Sequence, residues 1–308
     1  MPTVLITGVA GFIGRYIARE FAQLDWKVVG CDRAKVSKEF RALWGLSTFA
    51  HLDLIQENLD DLLKQNRPNV LIHAAGPASV PDSMIDPLGD FDSSAVTLFR
   101  VLESVRRCLP DCRLIFLSSA AVYGNPQTLP IREDHPLMPI SPYGYHKLLC
   151  EKIIEEFHAV YGLRTCAARI FSAYGIGLRR QVLWDICQKA LDGPTVELFG
   201  TGFETRDFVS VNDVAKAIRI IAEGAQFEGG AYNIGNGKEV RINDLAALLI
   251  AALNRDRDVR FTGVTRKGDP LRWCADVTLL QRLGYQPTVS IERGVADYGS
   301  WILENIDA

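Results

Sequence analysis

Short apolar runs alternate along the first half of the chain with longer stretches of helical period. The runs at residues 4–7, 27–31, 48–52, 70–74, 114–118 and 165–171 are largely apolar with little polar alternation, as strands buried on both faces are. Between them lie segments such as 12–24, where Ile13, Ile17, Phe21 and Leu24 recur on one helical face. Strands of this kind separated by helices predict a parallel sheet covered on both faces and joined by right-handed crossovers. That is the doubly wound α/β class.

Past residue 172 the rhythm loosens and turn signals crowd in, at Gly175, Gly177, Gly193-Pro194, Gly200, Gly202, Gly229-Gly230 and Gly235. Helical period returns at 212–223 and 242–254, with Asn212 and Asn243 placed to cap. The expectation is a sheet-bearing lobe over residues 1–172 and a smaller α/β lobe over 173–308. Segments near 206–235 return to the sheet, and a cleft closes over its carboxyl edge. No Pro/Ser-rich linker separates the two, so the lobes form an intimate pair.

Composition sharpens this picture. The 308 residues are 48% hydrophobic and 23% charged with a formal net charge of −3. Such a chain builds a sizeable core rather than staying disordered. It also lacks the basic excess that nucleic acid or an anionic membrane surface requires. No apolar run has the length of a membrane span. The seven cysteines show no paired metal-ligand spacing and no disulfide framework. Together with an opening that has no signal-peptide pattern, they predict a cytoplasmic protein with reduced thiols and no metal.

The first strand runs into Gly8, Gly11, Phe12, Ile13 and Gly14, a G-x-x-G-x-x-G turn followed at once by a helix. Glycines at this spacing permit the tight turn, the approach of backbone to a pyrophosphate and close helix–strand packing, while the helix N-terminus offers N–H groups to the phosphates. Asp32 follows the second strand. A carboxylate there accepts hydrogen bonds from an adenosine ribose and repels a 2′-phosphate, which favours NAD over NADP. Arg33 beside it is read as an exposed loop residue, the other reading being a partner for a 2′-phosphate. Asp53 and Leu54 follow strand three, and Ala74, Ala75 and Gly76 follow strand four, at carboxyl ends where a dinucleotide lies.

Further on come Ser119 at the end of strand five and the pair Tyr143 and Lys147 opening a helix. Residues four apart share a helical face. An ammonium beside a phenol favours the phenolate, the form a general base needs, and Ser119 is placed to orient the same substrate oxygen. His73 reads as a strand-end packing residue, His135 as a loop residue, His146 as an outward neighbour of Lys147 and Cys150 as core. Trp184 and Trp273 read as packing residues, the other reading being the lining of a ligand pocket.

These residues carry a resemblance. With Gly8/Gly11/Gly14, Asp32, Asp53, Ser119 and the Tyr143/Lys147 pair, and with Arg169-Ile170-Phe171, Thr205-Arg206-Asp207 and Arg266-Lys267-Gly268-Asp269 downstream, the chain resembles the extended short-chain dehydrogenases/reductases of the nucleotide-sugar epimerase/dehydratase group. The resemblance implies a Rossmann-type sheet with a substrate-binding lobe, and NAD as cofactor. It also implies a nucleotide-diphosphate sugar as substrate, a UDP-sugar favoured, and a homodimer formed through the helix after strand four and the helix bearing Tyr143. Arg206 and Arg266 would bind the diphosphate, and Asp269 would hold Arg266 or a hydroxyl. Phe171 would lie beside the nicotinamide, residues 197–199 including Phe199 near the base, and Ser172 against substrate. Ser94 and Ser172 stand where the group usually has asparagine. Ala120-Ala121 stands where its dehydratases carry Asp-Glu, which argues against elimination of water. The activity implied is C4 epimerisation of a UDP-hexose through a transient 4-keto sugar. The alternatives are an NADPH-consuming reductase of nucleotide-4-keto-6-deoxysugars and a non-catalytic dinucleotide sensor or scaffold.

Overall fold

A computed structural model describes residues 1–305. A seven-stranded parallel sheet organises it, built from β1 (Thr3–Thr7), β2 (Lys27–Asp32), β3 (Thr48–His51), β4 (Val70–His73), β5 (Arg113–Ser119), β6 (Thr165–Ile170) and the strand Glu228–Ile234. The spatial order, edge to edge, is Glu228–Ile234, β6, β5, β4, β1, β2, β3. The order reverses between β1 and β4, where Ile6 pairs with Ile72 on one side and with Gly30 on the other. Ligands of open α/β sheets bind outside the carboxyl ends of the strands at such a reversal.

Both faces are covered, as continuous apolar strands demand. On one face Val4, Ile6, Ile72 and Ile115 pack with Ile17 and Phe21 of α1 (Phe12–Ala22) and with Ile218 and Ile221 of the helix Val211–Gly224. On the other, Leu5, Val29, Leu71 and Phe116 meet Leu98, Val101 and Leu102 of the helix Thr97–Cys108 and Ile154 and Phe157 of the helix Pro142–Tyr161. Burying a side chain such as Phe21 completely contributes roughly 1.5–3 kcal/mol. A third core gathers Leu183 and Ile186 of the helix Gln181–Asp192, Leu245 and Leu249 of the helix Ile242–Ala252, and Tyr298 and Ile302 of the helix Ile291–Glu304. Among the described residues no helix is long and apolar enough to cross a membrane.

Three local expectations need correction. Leu24 is 47% exposed, because α1 ends at Ala22 and Leu24 lies in the turn beyond it. Asn212 does not cap its helix: Ser210 does, its Oγ accepting the Asn212 N–H at 3.3 Å. Asn243 falls inside the next helix, whose start at Ile242 carries no side-chain cap.

Candidate active site

β1 ends at Thr7 and the chain turns through Gly8 into α1. Gly8 has φ +67°, and a Cβ there would stand 2.6 Å from the Ala75 nitrogen. On Gly14 a Cβ would stand 2.3 Å from the Gly8 carbonyl oxygen. The left-handed conformation disfavours L side chains, and neither gap admits a carbon. Gly11 is the N-cap of α1, no side chain caps that end, and the first turn carries no acidic residue. The positive end of the helix and its first N–H groups are therefore left for an anion. Asp32 pins this loop from the end of β2, its Oδ2 accepting the Ala10 N–H at 2.9 Å and its Oδ1 the Ala34 N–H at 2.8 Å.

β5 delivers Ser119, whose hydroxyl accepts the Ala121 N–H at 3.2 Å and opens the buried turn Ala120–Tyr123. Ser141 then caps the helix Pro142–Tyr161 by accepting the Gly144 N–H at 3.2 Å, with proline in the first turn. That start sets Tyr143 and Lys147 one turn apart on the buried side of the helix. The Lys147 ammonium donates to the Leu117 carbonyl at 3.0 Å and lies 5.7 Å from the Tyr143 ring centre. His73 sits below, fully buried, its Nδ1 2.8 Å from Thr7 Oγ1. Burial, and then the Lys147 charge, push the imidazole pKa down to about 3. It stays neutral beside the lysine, in the packing role the sequence suggested.

Gly11, Gly14, Ser119, Tyr143 and Lys147 share one cleft of about 660 Å³. On its cofactor side are Gly11, Phe12, Ile13, Gly14, Ala74 and Gly76, with Ser119, Tyr143, Lys147, Phe171 and Ser172 at the centre. Phe199, Arg206, Arg266 and Asp269 form the far wall. Arg206 is held by the short ladder between Thr205–Arg206 and Val240–Arg241 and lies 5.7 Å from the Trp273 ring centre. Burial lowers its pKa to about 10, with the Asp269 and Glu204 charges working the other way. The Arg266 guanidinium stands 4.6 Å from the Phe199 ring centre, and its Nε is 3.8 Å from Asp269. Two guanidinium groups and an aromatic face thus lie in the same cleft as the Ser119–Tyr143–Lys147 cluster.

Comparison with known proteins bears on what the cleft holds. The sequence model of the NAD dependent epimerase/dehydratase family matches residues 4–235. The chain belongs to this family. It is 30% identical to the UDP-glucose 4-epimerase of Mycolicibacterium smegmatis over 312 residues, covering 95% of this chain and 96% of that one. The structure of the Thermotoga maritima UDP-glucose 4-epimerase with UDP-glucose superposes with a TM-score of 0.89 at 28% identity, covering 99% of this chain and 100% of that one. A dTDP-glucose 4,6-dehydratase from Streptomyces venezuelae with NAD bound gives 0.88 at 26% identity, covering 98% and 97%.

The protein is therefore an NAD-dependent enzyme of the epimerase class. The glycine loop fits NAD on this chain's own geometry: side-chain-free Gly11 and Gly14 line the cleft, Gly8 and Gly14 let the turn close tightly on its own backbone, and the helix end is uncapped. The expected residues Gly8, Asp32, Arg33, Asp53, Leu54 and Ala75 lie outside the lining of the cleft. Gly8 and Ala75 meet backbone to backbone beneath the loop, and Arg33 is exposed. Asp53 accepts the Ile55 N–H at 3.0 Å, and Leu54 is buried in the core. His146 does not point outward: its Nδ1 lies 2.5 Å from the buried Asp90 carboxylate. Cys150 is core, as expected, and both Trp184 and Trp273 line the cleft.

Sequence reasoning missed Gln181 and Gln188, which reach the cleft with Trp184 from one face of the helix Gln181–Asp192. The signal was there, since this face is polar or aromatic where the opposite one is Leu183, Ile186, Cys187 and Ala190. It missed Ser79 and Val80 after β4 as well, the N-cap and first residue of the short helix Val80–Ile85.

Proposed function

We propose that the protein interconverts the C4 epimers of a UDP-hexose through a transient 4-keto sugar. The observation that carries this reading is the meeting, in one cleft, of Tyr143, Lys147 and Ser119 with Arg206 and Arg266, while Ala121 lines the place beside Ser119 with no carboxylate. When bound, NAD supplies a reversible hydride acceptor for C4. Tyr143 accepts the 4-hydroxyl proton and, after the keto sugar has turned, returns it to the same oxygen as C4 takes the hydride back on its opposite face. Lys147, anchored to the Leu117 carbonyl, favours the phenolate and holds the ribose of the cofactor. Ser119, whose oxygen already accepts the Ala121 N–H, keeps its own proton free to donate to the reacting oxygen. Phe171 packs beside the nicotinamide, with Ser172 against the sugar.

Arg206 and Arg266 grip the diphosphate by their planar forks. Asp269 steadies Arg266, and Phe199 offers a face to the base. With the diphosphate held, the sugar turns at the centre of the cleft and presents its other face. The lobes at 1–172 and 173–308 divide this work between cofactor and substrate.

The protein is assigned to the cytoplasm and to a homodimer. Support for the dimer is the set of exposed apolar side chains on the segments after β4 and on the helix bearing Tyr143: Ile85, Leu88 and Phe99, with Tyr145 and Leu149.

The test is to incubate purified protein with UDP-glucose, UDP-galactose and their N-acetyl forms without added reductant. Epimers should form with no net NADH change. A requirement for stoichiometric NADPH would overturn the reading. Tyr143→Phe should lower turnover by roughly 10²–10⁴-fold and leave NAD bound.

A further inference from the structure

A buried carboxylate behind the cleft joins the helix bearing Tyr143 and Lys147 to the ends of β5 and β6. Glu151 lies one turn beyond Lys147 and two beyond Tyr143 on the same face of the helix Pro142–Tyr161, and is 7% exposed. Its Oε1 accepts the Ser118 hydroxyl at 2.5 Å and the Arg169 Nε–H at 3.0 Å, and its Oε2 accepts Arg169 Nη2 at 2.7 Å. Ser118 directly precedes Ser119, and Arg169 stands two residues before Phe171. Arg169 Nη1 donates onward to the Tyr123 hydroxyl and to the Glu133 carbonyl, each at 2.8 Å. Tyr123 donates to Asn233 Oδ1 at 2.8 Å. Asn233 Nδ2 in turn donates to the Ile131 carbonyl at 2.8 Å and the Asp276 carbonyl at 3.2 Å. Neither Glu151 nor Arg169 lines the cleft.

Two charges buried this deeply lose their hydration, and apolar side chains of similar volume serve stability as well or better. Glu151's hydrogen bonds and charge outweigh burial and hold the Arg169 guanidinium above its usual pKa. An apolar pair has no directional preference, whereas a guanidinium fork on a carboxylate fixes angle as well as distance. Here the fixed parts are the triad helix, the end of β5 and the end of β6.

We propose that Glu151 and Arg169 are positioning residues for the epimerase. They set the relative placement of Ser119, Tyr143 and Phe171, and so govern turnover without touching substrate or cofactor. The proposal rests on the assignment of Ser119, Tyr143 and Lys147 above.

The experiment compares Glu151→Met, Arg169→Met and the double variant as full-length, NAD-loaded protein, reading Tm, KM and kcat. Each single change strands a buried charge and lowers Tm, and the double change brings Tm back towards wild type. Positioning predicts that kcat of the double variant stays down by about 10–100-fold while KM moves less than about 3-fold and NAD stays bound. Recovery of kcat in step with Tm overturns the proposal. Glu151→Gln keeps the shape of the side chain and decides the matter should the double variant not fold. A lowered kcat at unchanged KM supports positioning, and wild-type kcat overturns it. A wild-type protein that forms no epimer, or an active Tyr143→Phe, would instead sink the functional reading.

Discussion

Replacing Gly14 by alanine separates the seating of the phosphate loop from the stability of the helix behind it. The new Cβ would stand 2.3 Å from the Gly8 carbonyl oxygen and 3.0 Å from Val9 Cα, where ordinary contact begins at 3.4 Å, a shortfall of 1.1 Å. The Gly8 carbonyl is not free to retreat without loss, since it accepts the Gly11 N–H at 3.0 Å, a bond worth about 1 kcal/mol net. Overpacking a tight site costs about 1–3 kcal/mol. Against this, alanine is favoured over glycine inside a helix by about 1 kcal/mol. The gain offsets only part of the cost and leaves about 1–3 kcal/mol, so Tm should fall by roughly 2–12 °C. NAD affinity has no such compensation. A loop displaced by about 1 Å should weaken binding by roughly 100-fold, or about 2.7 kcal/mol. Titration of NAD into stripped protein measures this, with Gly11→Ala as the comparison, because its Cβ would meet only the Gly8 oxygen at 3.1 Å. If Gly14→Ala bound NAD as tightly as wild type, the close approach would not be what seats the cofactor.

Two further outcomes follow from burial. Asp207 accepts the N–H groups of Asn236, Gly237 and Ala275, yet burial lifts its pKa from 3.8 to about 6. Its folded pKa is the higher one, so its contribution is complete below pH 3.8 and is lost as pH rises through about 6. Urea melts should show the stability of wild type relative to Asp207→Asn falling by on the order of 3 kcal/mol from pH 4 to 7, and a flat difference would refute this. At the proposed dimer face, Leu149→Arg should turn a dimer into a monomer by light scattering; an unchanged mass would place the interface elsewhere.

The parallel sheet was legible because its signal is local and redundant. Each of the six runs read as strands matches a strand to within a residue or two at either end; burial on both faces keeps the inner strands apolar, and only the edge strand β3 is partly exposed along its length. The seventh strand, Glu228–Ile234, was not read as one. Its Glu-Gly-Gly start and its register shift beside β6 break the apolar run that marks the others. Caps were misplaced for a related reason. Ser210 and Asn212 both fit the local chemistry, and the strand Phe208–Ser210 pairing with Ser172–Tyr174 decides where the helix begins.

The site was legible only where its groups depend on short spacing. Gly8, Gly11 and Gly14 share one turn, and Tyr143 and Lys147 share one helical face, so separation along the chain fixes separation in space. Glu151 has the same spacing from Lys147, yet its role rests on Ser118, Arg169, Tyr123 and Asn233, which come from other elements and as far away as residue 233. By sequence alone Glu151 is an acidic residue on a helix of which several positions face solvent, and the expected place for a carboxylate is that solvent. Only the sheet order, which sets β5 beside β6 under the triad helix, turns it inward to meet an arginine. Residues that act on substrate can be read from motifs that chemistry makes compact. Residues that hold those groups in place answer to topology, and so become visible when the strands are laid side by side.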